Sequence, residues 1–287
     1  MKLSTKLLIG LGIALLIIPT VTTSYIVGHN SIDINVYNKI LNQEGKDPNT
    51  KDTYLKTVKS NNFKKVSITG SDSLNYIIPI RLYVIKSDKH AVKIAKEDAE
   101  RLTIKSDENG QLSIKFNFYG NYYNTPIYIF TPNLEQIDLT NLMVNEFSTK
   151  QDELTIVGNK LSGFVMNNGT QINKLNFILK YSQFAINNGE QDSPPVSFNL
   201  NHLNFDLDSS NVNFAKNNYE SVQIKAKDSQ LYFVGENEGR YLKNMNLETI
   251  GASTIGFNDY QIGALSGKLS DETKTDFTLS TLRKFLK

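Results

Sequence analysis

Leu203-Asn204-Phe205-Asp206-Leu207-Asp208-Ser209-Ser210-Asn211-Val212-Asn213-Phe214 is followed, 19 residues after its start, by Val222-Gln223-Ile224-Lys225-Ala226-Lys227-Asp228-Ser229-Gln230-Leu231-Tyr232-Phe233. Apolar and polar positions coincide in the two stretches except where Asn213 meets Tyr232, and each places a Ser seven residues after its first residue. Working outward, Leu154-Thr155-Ile156, Leu175-Asn176-Phe177 and Met245-Asn246-Leu247 join the alignment, with start-to-start spacings of 21, 28, 19 and 23. Ser182, followed by Phe184 and Ile186, takes the same place in the Leu175 copy. Ser162 and Ser253 fall one position later in theirs. The longest step contains an insertion around Gln191–Pro195, and Asn167-Asn168-Gly169, Asn187-Asn188-Gly189 and Asn217-Asn218 close several copies.

A unit of about 20 residues with two or three short strands cannot bury its apolar face alone. Stacked at about 4.8 Å per unit, such strands pair in parallel and their inward residues form one continuous core. Small Ser suits the corners where the chain bends inward. Asn tolerates a left-handed backbone at corners, and its amide can ladder between units. The competing reading is a β-sandwich or meander, whose strands also recur at short intervals. Residue types recurring in fixed order favour the coil.

Upstream of the repeats, period-2 alternation runs through Phe63-x-x-Val66-x-Ile68, Ile78-x-Ile80-x-Leu82-x-Val84, Val92-x-Ile94, Leu102-x-Ile104, Leu112-x-Ile114-x-Phe116-x-Phe118 and Ile127-x-Ile129. Each reads as a strand with one buried face. Asn109-Gly110 marks a tight turn between two of them. The body is therefore expected to be all-β over residues 60–287. Residues 29–59 read as a polar spacer, with a short helix around Ile34–Leu41, where Ile34, Tyr37, Ile40 and Leu41 have helical spacing.

Lys2 and Lys6 precede an apolar run, Leu7 to Ile18, that continues weakly to Val27. Taken to Val27, it matches the roughly 20 residues a helix needs to cross a bilayer. Residues 1–28 are thus expected to be a transmembrane anchor with membrane contact through residues 7–27; a cleaved signal peptide is the alternative. The positive-inside rule places the rest of the chain outside the cytoplasm, periplasmic or on the cell surface, or secreted if cleavage occurs.

Across the 287 residues, 31 Lys and Arg face 29 Asp and Glu, and there is no Cys. The missing Cys excludes disulfides, thiolate zinc sites, a Cys nucleophile and a lipidated Cys. A body this close to neutral lacks the clustered positive charge that nucleic acid requires.

From Phe63 to about Leu279 the chain resembles the GIN-domain family, named for auto-transporter adhesin heads and found largely in exported proteins of Bacteroidetes-type bacteria. The residues that carry the resemblance are Phe63-Lys-Lys-Val66-Ser-Ile68-Thr-Gly70, the strand Ile80–Ile85, Asn109-Gly110-Gln-Leu112-Ser-Ile114, Pro126-Ile127-Tyr-Ile129-Phe-Thr-Pro132-Asn-Leu134-Glu-Gln-Ile137, and the Ser-centred repeats. The family's Gly-Ser-Gly or Gly-Ala-Gly corners are approached here only by Ile250-Gly251-Ala252-Ser253. The resemblance implies a right-handed parallel β-helix and an adhesin role. It brings no catalytic or binding residues with it.

His29, His90 and His202 lack metal-ligand spacing, no Gly-rich phosphate loop is present, and Ser266 has no nucleophile elbow. Asp206 and Asp208 share the outward face of one strand, with Asp228, Glu236 and Glu238 nearby in sequence. Stacked carboxylates can hold Ca²⁺ or cleave glycans, but a solvated outer face beside buried Leu203, Phe205 and Leu207 explains them more simply. Phe116, Phe118, Tyr119, Tyr122, Tyr123 and Tyr128 cluster around Gly120, as either an aromatic binding platform or the cap of a solenoid. The expected function is a membrane-tethered extracytoplasmic binding or adhesion module with no catalytic, cofactor or metal site. Tyr119, Tyr122, Tyr123, Asp206 and Asp208 are the candidate surface, and a polysaccharide or cell-surface protein the candidate partner. The rival reading is a β-helical carbohydrate-active enzyme.

Overall fold

The computed structural model describes residues 3–30, 33–70, 77–107, 109–117, 124–167, 169–185, 200–235, 240–258, 260–278, 281 and 283. Contacts divide the chain into two units, Met1–Gln43 and Glu44–Lys287.

In the first unit, α1 (Leu3–Asn30) is apolar over Leu3–Tyr25, a stretch long enough to cross a bilayer. The hydroxyls of Thr20 and Thr23 donate to the carbonyls of Leu16 and Pro19, each at 2.7 Å. Returning a hydroxyl to the helix's own backbone lets threonine sit in hydrocarbon at low cost. Helix α2 (Ile34–Glu44) starts where Asp33 accepts the backbone N–H of Asn35 at 2.7 Å, an N-cap contact. It covers the expected short helix and ends one turn later.

The rest is mostly strand. The first nine are β1 (Leu55–Lys59), β2 (Lys65–Thr69), β3 (Ile78–Lys86), β4 (Ala91–Ala95), β5 (Leu102–Ser106), β6 (Gln111–Phe116), β7 (Thr125–Thr131), β8 (Gln136–Thr140) and the long β9 (Leu142–Asn159). They are followed by β10 (Gly163–Met166), β11 (Gln171–Lys180), β12 (Gln183–Ala185), β13 (His202–Asp208), β14 (Asn211–Ala215), β15 (Tyr219–Lys227) and β16 (Gln230–Val234). Last come β17 (Tyr241–Ile250), β18 (Thr254–Gly256), β19 (Gln261–Lys268) and β20 (Lys274–Thr275).

Pairing in the first half is mixed. β4 runs antiparallel between β1 and β7, and β5 runs antiparallel to β6, while β3 lies parallel to both β7 and β9. The expectation of parallel strands throughout residues 60–287 fails here, because Asn109-Gly110 closes β5 and β6 as a hairpin, which can only be antiparallel. Gly110 has φ +75°, the left-handed conformation that this turn demands.

From β9 onward the pairing is parallel. β9, β11, β13, β15, β17 and β19 form one run, and β12, β14, β16, β18 and β20 another, so the chain alternates between two sheets. Phe177, Phe205, Ile224 and Leu247 stand in register and are buried. The same inward column extends back through Ile156, Ile137, Val66 and Leu112. Phe177 and Phe205 stack at 5.5 Å between centroids, and Phe233, Phe257 and Phe277 stack successively along the second sheet, the last two just beyond β18 and β20.

The corners explain the repeated Ser. Ser182, Ser210, Ser229 and Ser253 are buried. The N–H groups of Ser182, Ser210 and Ser229 donate to the Oγ of the next serine in the series at 3.1, 3.1 and 3.3 Å. Each of the first three hydroxyls donates in turn to the carbonyl two residues back, as Ser229 does to Lys227 at 2.7 Å. The serines thus form a hydrogen-bonded ladder along the corner. A left-handed residue precedes each bend: Asn141, Lys160, Tyr181, Ser209, Asp228 and Gly251 have φ between 48° and 63°. Asn fills this position once only. The fixed corner bonds, such as Ser209 N–H to Lys227 O at 3.0 Å, hold even Lys and Tyr in a conformation they disfavour.

The polar stretch Glu44–Tyr54 belongs to the body's surface rather than to open chain. Gly45 lies against the Tyr128 ring, where an added Cβ would meet Cε1 at 2.1 Å. Glu44 accepts the backbone N–H groups of Thr53, Tyr54 and Leu55. Lys93 on β4 is fully buried, its Nζ 2.9 Å from both Asp52 Oδ1 and the Glu44 carbonyl and 2.8 Å from Thr50 Oγ1. Alternation with Val92 and Ile94 points Lys93 outward; the covering segment turns that outward face into interior.

Candidate binding face

Alternation along β6, β2, β8, β9, β11, β13, β15, β17 and β19 puts every second residue on the outer face, and parallel register sorts them into columns. The central column reads Gln111, Lys65, Gln136, Thr155, Asn176, Asn204, Gln223, Asn246 and Ser266. Apart from Lys65, every member is an amide or a hydroxyl. Asn204 Nδ2 donates to Asn176 Oδ1 at 2.6 Å, Asn176 Nδ2 to Thr155 Oγ1 at 3.2 Å, and Asn246 Nδ2 to Ser266 Oγ at 3.2 Å. Amides at strand spacing satisfy one another along the column and turn their remaining donors and acceptors to solvent. The expected Asn ladder exists, on the strand face instead of the corners.

Beside it run charged columns. One reads Ile178, Asp206, Lys225, Glu248 and Lys268; the other reads Lys180, Asp208, Lys227 and Ile250. Alternating signs in parallel register avoid like charges on neighbouring strands. Asp206 is exposed and Asp208 half-buried, with Lys227 Nζ 4.0 Å from Asp208. At the start of the face, Lys174 and Asn176 both donate to Glu153 and hold its carboxyl below the usual range. The two candidate aspartates therefore stand on one surface, each bordered by lysine on the next strand.

The other sequence candidates scatter. Tyr119, Tyr122, Tyr123, Glu236 and Glu238, together with the Gly189–Pro195 insertion, lie outside the described residues. Phe116 and Tyr128 are buried. Asp228 occupies a corner, its Oδ1 accepting the Ala252 N–H at 3.1 Å. A Cβ on Gly251 would lie 2.1 Å from that oxygen, which accounts for glycine there. His90 Nδ1 accepts the Phe63 N–H at 3.2 Å, and burial lowers its pKa; His202 Nδ1 lies 2.8 Å from Ser221 Oγ. Among the described residues no group of three or more His, Cys, Asp and Glu is placed to hold a metal.

Sequence reading missed the central column, although its signal was visible as the middle residue of each aligned triplet. It also missed Tyr83, whose ring stacks on Tyr128 at 4.7 Å and whose hydroxyl donates to Glu146 at 2.6 Å. Burial, and then the Glu146 carboxylate, push the Tyr83 pKa far up.

No family model matches the chain, and no curated protein does. Among solved structures, it is similar to a "putative adhesin" from Parabacteroides distasonis at 12% identity and a TM-score of 0.39, covering 77% of this chain and 92% of that one. A "putative adhesin" from Bacteroides fragilis matches at 12% and 0.37, covering 79% and 93%. A "putative lipid binding protein" from Parabacteroides distasonis matches at 11% and 0.37, covering 77% and 92%.

Proposed function

We propose that this protein is a non-catalytic binding module of the GIN-domain adhesin type, held at the membrane by residues 1–28 and displayed outside the cytoplasm, with its body from β9 onward wound as a right-handed parallel β-helix. Residues 29–59 connect anchor to body, the part from Glu44 to Lys59 being held by β1 and the Lys93 contacts; residues 60–287 carry the binding surface. The ligand is an extended polysaccharide of the envelope or surroundings, lying across the strands. The observation that carries this reading is the central column, in which Thr155, Asn176, Asn204, Gln223, Asn246 and Ser266 offer amide and hydroxyl groups at strand spacing, about 4.8 Å apart. A polymer of hydroxylated rings meets such a row repeatedly, so weak contacts sum along its length. Asp206 and Asp208 flank the row as hydroxyl acceptors, and Tyr119, Tyr122 and Tyr123, which lie outside the described residues, are the further candidate ligand contacts.

The test is a binding screen of the full chain in detergent against envelope polymers and glycans, with released sugars measured alongside. Retention without sugar release is expected. Release of sugar that disappears in the Asp206→Asn, Asp208→Asn double variant would replace the binding module with a glycan-cleaving enzyme.

A further inference from the structure

β9 changes neighbours midway along its length. Its first half pairs with β3 as far as Thr149 opposite Val84, and its second half pairs with β8 from Thr155 opposite Gln136. Between those points no strand among the described residues pairs with that edge of β9. The loop Pro132–Glu135 bridges the gap, with Thr155 N–H donating to Glu135 O at 3.0 Å. The diverging strands leave a wedge of about 420 Å³ lined by Lys86, Asn133, Thr149, Lys150, Gln151 and Asp152, among others. That volume lies within the range of small-molecule pockets.

Two of the residues lining the wedge carry buried polar atoms without a hydrogen-bond partner. Thr149 is 2% exposed, and its Oγ1 has no hydrogen-bond partner; Gln151 Nε2 is likewise buried and unpartnered. Buried donors and acceptors cost about 1–3 kcal/mol each when left unpaired, so a bound group that pairs them recovers that cost. Lys86 and Lys150 at the rim form no ion pair among the described residues, whereas Glu135 is engaged by Lys64 and Glu153 by Lys174, each at 2.8 Å. Two free ammonium groups call for an anion. Asp152, Glu135 and Glu153 along the same wall disfavour a compact multivalent anion such as phosphate, but accept hydroxyl donors readily. Pro132 and Val84 supply an apolar surface for ring C–H groups.

We infer that this wedge seats a carboxylate-bearing sugar ring, a uronic acid residue, with Lys86 and Lys150 on its carboxylate and Thr149, Gln151 and Asp152 on its hydroxyls. The inference rests on the polysaccharide reading above and names the kind of residue the polymer must contain. It gives the protein a charge-selective subsite beside a neutral ladder.

The test uses the full chain in detergent, titrated with methyl glucuronide, methyl glucoside and inorganic phosphate, and separately challenged with an insoluble uronate-containing polymer. Methyl glucuronide should bind with a Kd on the order of millimolar and outcompete the glucoside by about tenfold or more, the size of one charge-assisted hydrogen bond. The exposed double substitution Lys86→Ala, Lys150→Ala should abolish that preference, while Lys105→Ala, an exposed lysine of β5 that does not line the wedge, leaves it unchanged. Equal binding of the two glycosides, tighter binding of phosphate, or an unaltered preference in the double variant would overturn the subsite. Polymer retention without glucuronide binding would overturn it while leaving the polymer-binding reading intact; loss of polymer retention by wild type removes both.

Discussion

Ser210 carries two hydrogen bonds in the corner ladder, accepting from Ser182 N–H and donating to the Asp208 carbonyl. Removing its hydroxyl strands the Ser182 N–H in a buried corner, while the Asp208 carbonyl keeps the Tyr181 N–H at 3.1 Å, so Ser210→Ala should cost about 1–3 kcal/mol in denaturant unfolding. A loss within experimental error would mean that the ladder is ornamental. Phe205 is packed between Phe177 and Phe214, with ring centroids at 5.5 and 5.3 Å. Phe205→Ala should cost about 3–5 kcal/mol through the cavity it leaves. Acid sensitivity belongs to the same scale. Burial would raise the pKa values of Glu44 and Asp52, but hydrogen bonds to the charged forms outweigh it and both are lowered. Carboxylates with depressed folded pKa values contribute stability that is present above their unfolded pKa, near 4, and lost as pH falls through the folded value. Stability should therefore be flat above about pH 5 and fall below about pH 4, and Glu44→Gln should flatten that acid limb. Asp98 works in the opposite sense, since burial raises its pKa. An acid limb unchanged in Glu44→Gln would show that the grip of Thr53, Tyr54 and Leu55 on Glu44 has no energetic weight.

At the scale of elements, what could be read from the chain was parity, and what could not was neighbourhood. The alternation through Leu203, Phe205 and Leu207 announced which side of β13 faces inward, so Asp206 and Asp208 were correctly placed outside. Their columns depend on register, which the aligned triplets supplied. Parity fails at Lys93, because nothing in Val92-x-Ile94 shows that Glu44–Tyr54 will cover the outer side of β4. Nor does alternation in β4 or β5 distinguish a parallel from an antiparallel partner, so the mixed first half was invisible apart from the Asn109-Gly110 turn. The wedge at Thr149–Asp152 was equally hidden, since it arises where β3 and β8 diverge along β9. The apolar helix α1 makes its own prediction. Full-length protein should fractionate with membranes and resist carbonate extraction, since Leu3–Tyr25 is long enough to span. A soluble product beginning near Tyr25 would identify the segment as a cleaved signal instead.

For the whole molecule, the central claim is that stacking in register builds a row of hydrogen-bonding groups longer than any single strand could offer. Its direct measurement is retention of the full chain on an insoluble envelope polysaccharide, comparing wild type with the triple variant Asn176→Val, Gln223→Val, Asn246→Val. Valine suits a strand and removes the amides without demanding a new backbone, so the thermal midpoint should stay close to that of wild type. The account predicts that wild type is retained and the folded triple variant loses about tenfold or more of its affinity, the equivalent of one or two hydrogen bonds. Equal retention of wild type and a folded triple variant would contradict it.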